Sequence, residues 1–300
     1  MGQKEDLEKI PQWRILFLSS FSPCTMRPPI INAVSSFLEK VAKGLIRDFG
    51  EIGNLQASRD GTGAFVEVAV RRTEALIHDA LHRLYPTSNL LMPLSGFVNY
   101  GGQSAPLWII SALDGERNFA HGLPHFSISL ALKENSQLVA GIVYDPLRYE
   151  TFWACRGGGA FLNQTRLRVS GRTQSARSLV ATQVPRGAKA SLTAPLMQSL
   201  SAHGVGVQSW GTASLDLAYV ASGRYEGFFD YDLSPYVMAA GILLVKESGG
   251  LITTPGGRFP SLEGDDVIAG NPTTHTLLKA LVPNRKSADD APHQQRPLPL

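Results

Sequence analysis

The residues best able to do chemistry stand close together between Trp108 and His125. An apolar run, 108–113, ends in Asp114-Gly115, and Glu116, Asn118, His121 and His125 follow. A carboxylate at the end of a buried strand can contribute to a site for a hard cation such as Mg2+, which takes oxygen ligands. Ser111 and Glu116 could bring their oxygens to the same strand end. Taken alone the pattern is weak, because Asp-Gly is a common turn pair. His121 and His125 offer two imidazoles for proton transfer, but a hydrogen-bonded structural role is the stronger expectation for both. Further along, Gly211-Thr212-Ala213 forms a small-residue loop ahead of an apolar helix, and Asp230 closes another apolar run.

Composition narrows the partners. The chain has 300 residues, 43% hydrophobic and 18% charged, with a net charge of +3. That is an ordinary globular balance, large enough for one large or two ordinary domains. The charge is too small, and the basic residues too scattered, to support nucleic-acid binding. Two cysteines, Cys24 and Cys155, are too few for a disulfide framework and form no zinc motif, so a cytoplasmic setting is expected. Cys155 lies in an apolar run and is expected to be an inert buried thiol. No apolar stretch is long enough for a membrane helix.

The elements that must position these residues change character half-way. Apolar spacing predicts a helix over 30–48, stopped by Gly50 and Gly53, then a loop over 54–64. A second helix over 68–84 places Arg71, Arg72, Glu74 and His78 on its solvated face. Strands follow at 90–92, 107–113, 126–133, 138–144, 151–154 and 159–162, joined mostly by short turns. After that, strands at 178–181, 205–209, 227–230, 251–254 and 266–269 alternate with helices at 194–203, 213–222, 234–248 and 272–281. We expect an α+β half with an antiparallel sheet over 28–150 and an α/β half over 151–283. Residues 1–27 read as a disordered extension and 284–300 as a disordered tail.

Three separated motifs carry a resemblance. They are Trp108-Ile-Ile-Ser-Ala-Leu-Asp-Gly115, Gly211-Thr-Ala-Ser-Leu-Asp-Leu-Ala-Tyr-Val-Ala-Ser-Gly-Arg-Tyr225, and Pro235-Tyr-Val-Met-Ala-Ala-Gly241 through Gly249-Gly250, with Gly157-Gly-Gly-Ala-Phe-Leu-Asn163 between the first two. In this order they resemble the inositol monophosphatase family. The resemblance implies a layered α-β-α-β-α sandwich, usually a homodimer, that hydrolyses inositol or sugar phosphomonoesters with Mg2+. It implies substrate-side roles for Asp114, Gly115, Gly211, Thr212, Ala213 and Asp230.

The chain departs from that pattern at its metal site. Acids are expected where Val70, Pro93, Leu94, Ser111 and Val237 stand, and a hydroxyl where Glu116 stands. Asp114 is the one retained ligand. Mg2+ demands several oxygen ligands, so we expect a catalytically inactive homologue, without cofactor, that binds an anionic or polyol-phosphate ligand or a protein partner. The alternative is an active Mg2+-dependent phosphomonoesterase with a rearranged site that uses Asp114, Glu116 and Ser111.

Overall fold

The computed structural model describes residues 28–56, 62–183 and 190–283. The expected terminal extensions, Cys24 and part of the 54–64 loop lie outside them. Helix α1 spans Pro29–Leu55 and buries a stripe from Ile31, Val34, Leu38, Val41 and Leu45 on to Ile52. Gly50 and Gly53 do not end it, contrary to the sequence expectation. Each glycine costs about 1 kcal/mol relative to alanine, and burial of Ile52 one turn beyond Asp48 more than offsets that. Helix α2, Gly63–Leu84, starts earlier than expected and packs on α1 through Val66, Val70, Ile77 and Leu81.

These two helices cover one face of an eight-stranded sheet with order β2-β1-β3-β4-β5-β6-β7-β8. Its strands are β1 Asn89–Met92, β2 Gly96–Val98, β3 Leu107–Asp114, β4 Ser127–Glu134, β5 Gln137–Asp145, β6 Glu150–Cys155, β7 Gly159–Leu162 and β8 Thr165–Arg166. β1 and β3 run parallel, and the other neighbours are antiparallel. Two-residue alternation decides which layer each side chain meets. Trp108, Ile110 and Ala112 face α1 and α2, whereas Ile109 faces the middle of the molecule. Short helix α3, Glu116–Ala120, follows β3 directly.

A five-stranded sheet of order β10-β9-β11-β13-β12 lies on the far side. It uses β9 Leu179–Thr182, β10 Gly206–Gln208, β11 Gly227–Leu233, β12 Leu251–Thr253 and β13 Asp265–Gly270. Between the sheets sit α5, Ala213–Ala221, and α6, Pro235–Glu247. All nine residues of α5 are buried. A helix enclosed between two sheets has no solvated face, so α5 is largely apolar, with Ser214 and Asp216 as buried exceptions. The small residues of the Ala239-Ala240-Gly241 motif let α6 approach closely. A Cβ on Gly241 would lie 2.5 Å from Leu217 Cβ, and one on Gly141 of β5 would lie 3.1 Å from the Ala240 backbone. Helices α4, Ala190–Ala202, and α7, Pro272–Leu281, close the outer face over Val180, Phe229 and Ile268. The result is the α-β-α-β-α sandwich. Cys155 is half-buried, and burial, followed by the Glu247 charge, pushes its thiol up to about 12, which makes it unreactive.

Candidate functional site

β3 delivers Asp114 to the middle layer through an irregularity. Its register against β4 slips between Ser111 and Asp114, and a slip of one residue reverses the face of every side chain beyond it. Asp114 thus points away from α1 and α2. Its Oδ2 accepts from the Ser214 backbone N at 2.8 Å and from Ser214 Oγ at 2.6 Å, both at the start of α5. Asp114 is 8% exposed, and burial raises its pKa to about 6 against the opposing pull of Ser214 and of the Gly115 N–H. Gly115 has φ 94°, and a Cβ there would lie 2.7 Å from Thr212 Oγ1 and 2.9 Å from the His125 carbonyl. Only glycine fits both the conformation and the space. Asn118 locks the turn, since its Nδ2 donates to the carbonyls of His125 at 2.8 Å and Trp210 at 2.6 Å.

The other expected substrate-side residues gather around this turn. Thr212 is fully buried and donates to the His125 carbonyl at 3.1 Å, and Ala213 begins α5 fully buried. Gly211 has φ 72° with open space beside its Cα. Asp230 on β11 is 7% exposed, and its Oδ1 accepts from the Tyr231 N–H at 2.7 Å. Neither Asp230 nor Thr212 is a surface residue, and Thr212 makes no side-chain cap to α5. The backbone after Gly115 makes a poor anion cradle, because α3 has five residues and opens with the Glu116 carboxylate.

Three residues of this region carry features that the sequence expectations did not include. Asp216 on α5 has no exposed surface, and neither of its carboxylate oxygens has a hydrogen-bond partner. Burial first, then the charges of Asp114 and Asp230, hold its pKa well above the usual carboxylate range. An acid in an otherwise apolar helix was the available signal. Glu74 does not lie on a solvated face of α2 as expected. It is 1% exposed and accepts from the Leu94 N–H, the Ser95 N–H and Ser95 Oγ, at 3.1, 3.1 and 2.7 Å. Its place on the 66, 70, 77, 81 stripe could have revealed this. His125 is buried as a structural histidine should be, but its Nε2 has no partner. Burial, reinforced by Arg148, pulls its pKa down to about 4. Trp210 packs on it with ring centroids 5.2 Å apart and completes the rim.

A family pattern described as the inositol monophosphatase family matches residues 29–287. The chain belongs to the inositol monophosphatase family. A protein of Mesorhizobium japonicum named inositol-1-monophosphatase is 39% identical over 259 residues, covering 85% of this chain and 97% of the relative. A Pseudomonas aeruginosa protein named Nus factor SuhB is 37% identical over 248 residues, covering 81% and 92%. Among solved structures, the extragenic suppressor protein suhB of Bartonella henselae superposes with a TM-score of 0.77 at 35% identity, covering 85% of this chain and 98% of that one.

The inositol monophosphatase family implies Mg2+, and the residues present do not fit it. Val70 is 4% exposed in the α1–α2 core, and Val237 packs against the middle-layer core. Pro93 and Leu94 occupy the β1–β2 turn, and Leu94 offers Glu74 only its backbone N–H. Ser111 is 3% exposed and brings a neutral hydroxyl where a charge is needed. Asp114, the one retained ligand, already accepts two bonds from Ser214. Glu116 is exposed at the rim, where desolvation and the charges of Asp114 and Glu74 raise its pKa. Among the described residues no three His, Cys, Asp or Glu side chains are grouped to hold a metal ion.

Proposed function

We propose that this family member acts by binding, holding an anionic or polyol-phosphate ligand or a protein partner without metal-dependent turnover. The carrying observation is the set Val70, Pro93, Leu94, Ser111 and Val237, five positions where the family pattern places acids and none carries one. Asp114, Thr212 and Asp230 are buried polar side chains whose oxygens suit hydroxyl groups. A cytoplasmic homodimer is part of the proposal. One class of relatives is named for a Nus factor, which makes a protein partner a reasonable object of search.

A second reading is an active Mg2+-dependent phosphomonoesterase with a rearranged site. The names of two relatives favour it: the Mesorhizobium japonicum protein at 39% identity and a Rhizobium meliloti protein at 37% are both named inositol-1-monophosphatase. So does the electrostatic coupling of Glu116 to Asp114 and Glu74, which brings three carboxylates into one field. Two measurements decide. Purified protein is assayed on inositol monophosphate and several sugar phosphates with Mg2+, and its melting temperature is followed as Mg2+ or Mn2+ is added. Binding without turnover predicts no hydrolysis and no metal-induced shift, since a ligand that binds only the fold must stabilise it. Turnover at rates typical of these phosphatases would end the binding proposal.

A further inference from the structure

A polar groove away from the Asp114 turn has lining groups with spare bonding capacity. It is an open groove of about 390 Å³ between Glu39, Lys43 and Ile46 on α1 and Tyr144, Tyr149, Thr151 and Asn163 on and beside β5, β6 and β7, with Glu39 and Tyr149 exposed at its edge. That volume sits at the lower end of small-molecule sites, roughly 300–1,000 Å³. None of its lining comes from α5, α6 or β11.

The lining is built rather than incidental. Asn163 has φ 53°, and its Oδ1 accepts from the Thr151 N–H at 3.0 Å while its own N–H donates to the Thr151 carbonyl at 2.8 Å. Trp153 Nε1 donates to the Asn163 carbonyl at 2.8 Å. These bonds fix the side-chain amide and leave its NH2 group available. Tyr149 also holds a left-handed backbone, φ 54°, in a turn braced by Asp145, which accepts from the N–H groups of Leu147 and Arg148. Non-glycine residues in this conformation concentrate at functional sites. Tyr144 is 3% exposed, and its phenol is pushed up to about 12 by burial, then by Glu39, Tyr149 and Asp145, so it remains a neutral donor. Glu39 and Lys43 stand four residues apart on α1, the spacing of a helix ion pair, yet form no salt bridge with each other or with any other described residue.

The charges of Glu39 and Lys43 cancel, so the groove selects neither an anion nor a cation. Two phenol rings offer apolar faces. The carboxylate, ammonium, amide, phenols and Thr151 hydroxyl offer both acceptors and donors. We propose that this groove binds a neutral polyol of single-ring size, such as a monosaccharide. Its hydroxyls would exchange bonds with Glu39, Lys43 and Asn163, and its C–H faces would pack on Tyr149.

The test is titration of the full chain with D-glucose by calorimetry and 15N NMR. We expect saturable binding, with shifts at the Asn163 side-chain amide and the Trp153 indole N–H. Glu39→Gln and Tyr149→Ala should each weaken binding about tenfold at unchanged melting temperature, since both side chains are exposed. Asp230→Asn should leave it unaltered. Absence of saturable binding, loss of binding in Asp230→Asn alone, or the same shifts at lower concentration with glycine or inorganic phosphate would each overturn the assignment. The outcome is independent of phosphatase activity at the other site.

Discussion

Asp114 and His125 lie beside the same turn and are both uncomfortable when charged, but in opposite senses. Burial raises Asp114 from 3.8 to about 6. Its contribution to stability is therefore complete below about pH 4 and is lost as pH rises through 6. Asp114→Asn should match the wild type near pH 4 and exceed it above pH 6 by roughly 2–3 kcal/mol, at 1.36 kcal/mol per pKa unit. Denaturant melts from pH 4 to 8 measure this, and a pH-independent difference would refute it. His125 is lowered from 6.5 to about 4. Its contribution is present above pH 6.5 and is lost as pH falls towards 4. His125→Gln should gain on the wild type as pH falls over that range, by about 3 kcal/mol at the limit. Opposite slopes in the two variants are the signature.

At the scale of elements, the close approach of α5 and α6 rests on Gly241. A methyl there would sit 2.5 Å from Leu217 Cβ, and neither helix can retreat because a sheet backs each of them. Gly241→Ala should cost about 1–3 kcal/mol by overpacking. Leu217→Gly, which removes both the Cβ and the Cδ1 that the methyl would meet at 2.5 Å, should couple favourably with it, so that the pair costs less than the sum of the two single changes. The quantity to measure is the coupling energy of the double-mutant cycle, and simple additivity would show that the clash is relieved elsewhere. Glu74 acts similarly between elements, since it bonds α2 to the turn that carries Pro93 and Leu94.

The whole molecule keeps the inositol monophosphatase scaffold, and the binding proposal turns on five positions, two of them adjacent, that lack the acids the family resemblance implies. Carboxylates grouped without a cation repel one another and resist desolvation. The chain carrying Val70→Asp, Pro93→Glu, Leu94→Glu, Ser111→Asp and Val237→Asp should therefore melt lower than the wild type in chelator. Added Mg2+ should raise its melting temperature again, and phosphatase activity should appear with the metal. If Mg2+ has no effect on the restored chain, the scaffold itself has drifted from a metal-competent geometry.

The layered fold was legible in the sequence because burial imposes period: two along β3 and β4, three to four along α1, and none along the enclosed α5. The motifs around Asp114, Gly211 and Pro235 named the family, and side-chain type alone decides whether a position can offer an oxygen. Other features needed the third dimension. Helix α1 overran two glycines because packing at Ile52 outweighs local propensity. Glu74 was placed in water because a helical stripe does not announce what caps a distant turn. Asp216, His125 and the Glu39–Asn163 groove depend on which groups meet from far apart in the chain, and desolvation is set by that packing rather than by residue type. Sequence alone determined the family and which side chains can offer an oxygen at each position. Tertiary structure decided which remaining polar groups are buried, paired or left open to a ligand.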